Sequence, residues 1–136
     1  MEKKKLTAGK IIGRILLGLF CLLLVVCACG AGFVLLGKEK TIAAPLAGVS
    51  LDSVADGTYK GSYSAFRWSN TVLVTVKDHR IVAIEQIKPQ ALAKPETISS
   101  LIDNVLEAQN TNVDIVSGAT ADKKAFLSAV EDALNP

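Results

Sequence analysis

Apolar residues are unevenly spread along the 136-residue chain. From Ile15 to Gly37 no charged side chain occurs. As a helix that run is about 34 Å long, enough to cross a hydrocarbon core of about 30 Å. Beyond it the periodicity changes. Asp56-Gly57 marks a turn, and Thr58 to Ser64 reads as a strand that puts Tyr59 and Tyr63 on one face. Asn70 to Lys77 is β-branched almost throughout and predicts a second strand; Arg80 to Ile87 returns as the other arm of a hairpin across Asp78-His79. Pro89 to Ala93 reads as a loop, and Pro95 fits the first turn of a helix. Ile98, Leu101, Ile102, Val105 and Leu106 follow helical spacing up to Asn110-Thr111-Asn112. Val113 to Val116 reads as a short further strand. A last helix, beginning near Ala121, carries Phe126, Leu127, Val130 and Leu134 on one face. Strands grouped ahead of helices imply an α+β fold: a small antiparallel sheet packed with two helices, preceded by one N-terminal transmembrane helix.

This divides the chain into a basic tail at 1–14, a transmembrane signal anchor at 15–37, a linker at 38–54 and a folded domain at 55–136. The linker assignment rests on Pro45, Gly48 and a run of small residues without a period. Lys3, Lys4, Lys5, Lys10 and Arg14 precede the apolar run, whereas only Lys38 and Lys40, with Glu39 between them, follow it closely. That bias sets the N-terminus in the cytoplasm and the C-terminal domain outside, on a single-pass protein of the cell membrane. A cleaved signal peptide is the alternative, and Val26-Cys27-Ala28-Cys29-Gly30 loosely resembles a lipoprotein box that would lipidate Cys29.

The formal net charge of +2 is misleading, because residues 38–136 hold ten basic and twelve acidic side chains. A mildly acidic exported part does not call for a nucleic-acid partner. All three cysteines, Cys21, Cys27 and Cys29, fall in the apolar run, so the domain has neither a disulfide nor a thiolate metal site. His79, the single histidine, sits at a hairpin tip with no partner ligand in sequence.

The stretch with chemical content is Asp114-Ile115-Val116-Ser117-Gly118-Ala119-Thr120, which feeds a hydroxyl-rich turn into the last helix. A helix start offers unpaired N–H groups and the positive end of a dipole, a seat for phosphate. Gly118 permits positive φ and close approach of the main chain to a ligand; Ala119 leaves the approach clear and Thr120 puts a hydroxyl at the rim. The plainer reading is a helix cap made by Ser or Thr. Lys123 and Lys124 oppose the dipole in the first turn, which suits an anion nearby or simple exposure to solvent.

Together with Glu107-Ala108-Gln109, Val113 and the opening Asp56-Gly57-x-Tyr59-x-Gly61, this motif resembles the signature of the FMN-binding domain family over roughly Asp56 to Leu134. The resemblance implies FMN held covalently, by a phosphoester to Thr120 made by a separate flavin transferase from FAD. Asp114, Ser117, Gly118 and Ala119 would form the recognition turn. Relatives often continue with further hydroxyl residues, where this chain has Ala121-Asp122-Lys123-Lys124. The resemblance also implies a membrane-bound electron donor, such as a quinone-linked dehydrogenase.

A flavin performs its own redox chemistry, and the protein supplies tethering and orientation. Trp68 is the candidate to stack on the ring, with Phe66, Tyr59 and Tyr63 as the other aromatics nearby. Arg67 and Arg80 stand without a supporting second group, and no residue reads as catalytic. The expectation is therefore an extracytosolic electron-transfer protein that relays electrons between a membrane donor and an extracytosolic acceptor. A flavin-free tethered binding or structural module, and a noncovalent FMN reductase of a small acceptor, are the alternatives.

Overall fold

The computed structural model describes residues 7–115 and 118–135, and the chain divides into two units, Met1–Leu35 and Leu36–Pro136. The first unit is a helix, α1 (Ala8–Leu35), long and apolar enough to cross a membrane. It starts ahead of the uncharged run, so Lys10 and Arg14 ride on its first turns.

The second unit is α+β. Its sheet has three antiparallel strands in sequence order, β1 (Gly57–Tyr63), β2 (Asn70–Lys77) and β3 (Arg80–Lys88). β2 shows the period of two expected of a half-buried strand: Asn70, Val72, Val74 and Val76 point into the core, and the residues between them do not. At the hairpin tip Asp78 has φ 51° and His79 φ 56°, the pair of left-handed residues that a two-residue turn of this hand requires. The Asp78 N–H donates to Asp56 Oδ1 at 2.8 Å, and His79 Nδ1 donates to the Leu51 carbonyl at 3.1 Å. His79 is thus used to hold the chain ahead of β1 against the turn.

Two helices cover one face of the sheet. In α3 (Pro95–Ala108), Ile98, Leu101 and Val105 are buried, and Gln109 just beyond it clasps Ile81 N–H and C=O in β3 at 2.7 and 3.0 Å. α4 (Thr120–Leu134) buries Phe126, Leu127 and Val130 completely, along with Ala125 and Ala129. It lies flush on β1 because Gly61 has no side chain. A Cβ there would strike the Ala129 carbonyl and the Ala133 main chain and methyl. A glycine inside a strand commonly marks such a backbone approach.

Two expectations are corrected. Val113 to Ile115 form no strand, because the Val113 N–H turns back to the Thr111 carbonyl at 2.9 Å; Val116 lies outside the described residues. Residues 38–54 do not hang as a linker but fold onto the domain. They contain a short helix, α2 (Lys38–Ala43), and a turn of 3₁₀ helix at Leu51–Ser53. Thr41, Val49 and Val54 are buried. Glu131 on α4 accepts hydrogen bonds from Ala47 N–H, Gly48 N–H and Thr111 Oγ1, at 3.2, 2.8 and 2.6 Å. Asn110 and Asn135 bond the main chain at Val49 and Gly48 from the other sides.

Candidate functional site

The site forms where α4 begins. The helix starts at Thr120, so Ala119 holds the cap position and Thr120 the first helical one. An alanine has no side chain to cap with, so the first-turn N–H groups of α4 get no bond from the residue that would ordinarily supply one. Thr120 is also not spent as the cap, which removes the plainer account of its hydroxyl. Gly118 has φ 110° and Ala119 φ 105°. A left-handed residue followed by right-handed helical ones gathers successive N–H groups toward one concavity, the backbone arrangement that binds anions. For Ala119 this conformation is uncommon and strained. Nothing lies within 4 Å of a Cβ built on Gly118, so the main chain of the turn is open to a ligand.

A cavity of about 360 Å³ lies on one side of this turn, walled by Thr120, Trp68, Arg67 and, from α2, Lys38 and Ile42. A second of about 370 Å³ lies on the other side, walled by Leu92, Lys94, Thr97 and Lys123. Gly118, Ala119 and Asp122 border both.

Three elements converge under the first cavity. A turn of 3₁₀ helix at Phe66–Trp68 carries Arg67, whose guanidinium lies 3.3 Å above the centre of the Trp68 ring. Arg67 donates to the Ala91 carbonyl at 2.9 Å and stands 3.6 Å from Asp122 Oδ1 on α4. Buried Gln90, in the loop after β3, donates to the Asp122 carbonyl at 2.9 Å and accepts from Gln86 Nε2 at 2.9 Å. Buried Asn70 donates to the carbonyls of Trp68 and Ala125 at 3.2 and 3.0 Å, fixing the Phe66–Trp68 turn to α4. Burial pushes the Asp122 carboxyl above its ordinary 3.8, while the charge of Arg67 and a bond from Gln90 pull it down. Removing this carboxylate from water costs more than its ion pair with Arg67 returns.

The structure brings together Thr120, Gly118, Ala119 and Trp68, and sets Asp114 apart. Asp114 is exposed and borders a polar groove with Lys123, Ser100 and Asn104. Ser117 lies outside the described residues. Trp68 is only 2% exposed and carries Arg67 on its ring, so it floors the cavity more than it offers a bare stacking face. Phe66, by contrast, is 64% exposed with φ 51°. Arg67, read from sequence as unsupported, is one of the best supported side chains in the domain. Its partners Ala91 and Asp122 are distant in sequence, and no local signal announces them. Lys124 does not point freely into solvent: its ammonium donates to the carbonyls of Ile42 and Ala44, at 2.6 and 2.9 Å, at the end of α2. Among the described residues no cluster of His, Cys, Asp or Glu could hold a metal.

The arrangement suits a phosphate monoester carrying a large flat group. It offers N–H groups at a helix start, cationic side chains on both sides, an open main chain at Gly118, and cavities with apolar walls at Ile42, Trp68 and Leu92. The model of the family described as FMN-binding domain matches residues 68–135. Comparison with curated proteins gives no match.

Proposed function

Because the chain belongs to the FMN-binding domain family, we propose that it is a membrane-anchored, extracytosolic electron carrier with FMN esterified to Thr120. The observation that carries the reading is the position of Thr120: first residue of α4, bordering a cavity, with Ala119 in the cap position. A flavin transferase would use FAD as donor. Thr120 Oγ1 attacks the phosphorus of the FMN half, the bond between the two phosphates breaks, AMP leaves, and the hydroxyl proton passes to a base on the transferase. Thr120 supplies the bridging oxygen, and Gly118 and Ala119 shape the turn that receives the phosphate. The N–H groups of the first turn and Lys38 and Lys123 offset its charge. Asp114, exposed at the approach to the turn, serves recognition by the transferase.

Bound flavin supplies one- and two-electron transfer. The chain's own residues supply place and insulation. Arg67 is turned toward Asp122 and Ala91 and is not free to anchor a substrate carboxylate, which favours a carrier over a self-sufficient reductase. A quinone-linked dehydrogenase in the same membrane would reduce the domain, and an extracytosolic acceptor would take the electrons. α1 anchors the carrier in the bilayer, with the N-terminus cytoplasmic.

Co-expression with a flavin transferase tests this. After denaturing electrophoresis the wild type keeps flavin fluorescence, and Thr120→Ala has none. Flavin that washes out on denaturation supports noncovalent binding instead. A preparation without flavin under every condition supports a flavin-free module.

A further inference from the structure

We propose that α2, which lies outside the residues matched by the family, is a wall of the flavin site, closing over the cofactor through Ile42 and Lys38. The inference rests on the reading that FMN is carried on Thr120. A helix of six residues is too short to be stable by itself in water, and Lys38-Glu39-Lys40-Thr41-Ile42-Ala43 has no apolar face to bury. Yet Lys124 and Tyr63, from elsewhere in the domain, hold it down. Lys124 closes its C-terminal end by donating to the carbonyls of Ile42 and Ala44. Thr41 is fully buried against the domain, its hydroxyl also donating within the helix to the Gly37 carbonyl at 2.8 Å. Tyr63 on β1 donates its hydroxyl to Thr41 Oγ1 at 3.1 Å.

The helix so held turns Lys38 and Ile42 to the cavity that Thr120 borders. Ile42 stays 39% exposed there, an apolar side chain kept half in water beside a polar helix start. A flat apolar group seated in the cavity would cover it, and the Lys38 ammonium would face the phosphoester. Lys124, which from sequence competes with the α4 dipole, has its charge drawn away from the helix start and spent on α2. The clamp and the cofactor are therefore on one helix, four residues apart.

Coupling follows by linkage. Flavin that touches Ile42 and Lys38 binds the docked form of α2 better than the released form, so it must stabilise docking by the same factor. Release of α2 exposes the bonds after Lys38 and Lys40 to trypsin.

The test uses the full chain in detergent micelles, either treated with flavin transferase and FAD or left untreated, with Thr120→Ala treated alongside. Cleavage after Lys38 and Lys40 is followed by mass spectrometry, which also reports whether Thr120 carries FMN. The loaded wild type is expected to be cut at least about fivefold more slowly than the unloaded chain, the lower end of ordinary site coupling. Thr120→Ala should be cut at the unloaded rate. Iodide should quench the emission of attached flavin more strongly in Ile42→Ala, which shortens the wall, and in Lys124→Met, which unclamps it. Equal cleavage rates with FMN present on Thr120, or quenching unchanged in both variants, overturn the inference and leave the attachment standing. Absence of FMN from Thr120 overturns both.

Discussion

Gly61→Ala puts the seat of α4 to the test. The methyl group would lie 2.7 Å from Ala133 Cβ and closer still to the Ala129 carbonyl and the Ala133 N–H. Two of these three are main-chain atoms of a helix that also buries Phe126, Leu127 and Val130 at zero exposure, so it cannot shift without disturbing the core. No side chain can swing aside, so α4 has to lift from β1. Overpacking a core by one methyl costs about 1–3 kcal/mol, and an unyielding backbone puts this case at the upper end. The smaller entropy of the unfolded alanine chain offsets about 0.4–1 kcal/mol, which leaves a net loss of about 2 kcal/mol. For a domain of about 100 residues that lowers Tm by about 8–16 °C. Urea titration of the full chain in micelles, read by the emission of Trp68, gives the number. Because α4 also carries Thr120, the extent of flavin attachment should drop with it. A variant within about 0.5 kcal/mol of the wild type, the range of an ordinary surface change, would mean that α4 does not rest on Gly61.

Other substitutions probe other joints. Glu131→Ala removes the acceptor shared by Ala47, Gly48 and Thr111 and should lower stability by about 2–3 kcal/mol; hydrogen exchange at the Gly48 amide should speed up, and an unchanged rate would contradict the docking of residues 47–48. Phe126→Ala empties the largest fully buried side chain of the core and should cost about 3–5 kcal/mol in the same titration. The Asp122 carboxyl, raised by burial, contributes stability that is complete below its unfolded value of 3.8 and is lost as pH rises through the folded value. Wild-type stability should therefore fall relative to Asp122→Asn across that interval, and parallel pH profiles for the two would count against it.

Much of the domain is legible in its periodicities. The alternation of Val72, Val74 and Val76, the helical spacing of Ile98, Leu101 and Val105, and the apolar face of α4 each report burial by one surface. Asp78-His79 announced its turn because few residues accept two successive positive φ values. What stayed hidden depends on partners far away in sequence. α2 is too short to show a period and is held by Lys124 and Tyr63. Residues 47–54 look like a linker until Glu131 and Asn110 reach them. The support of Arg67 comes from Ala91 and Asp122, neither of them near it along the chain. The left-handed Ala119 was hidden for another reason: alanine carries no preference for that conformation, and the surrounding fold imposes it.

Attachment of FMN at Thr120 can be read by peptide mass spectrometry on protein from a host that has the transferase. The peptide spanning Thr120 should gain the mass of FMN less one water, with fragment ions assigning the gain to that residue. The unmodified mass on that peptide, or the gain assigned to any other residue, would mean that Thr120 is not the acceptor.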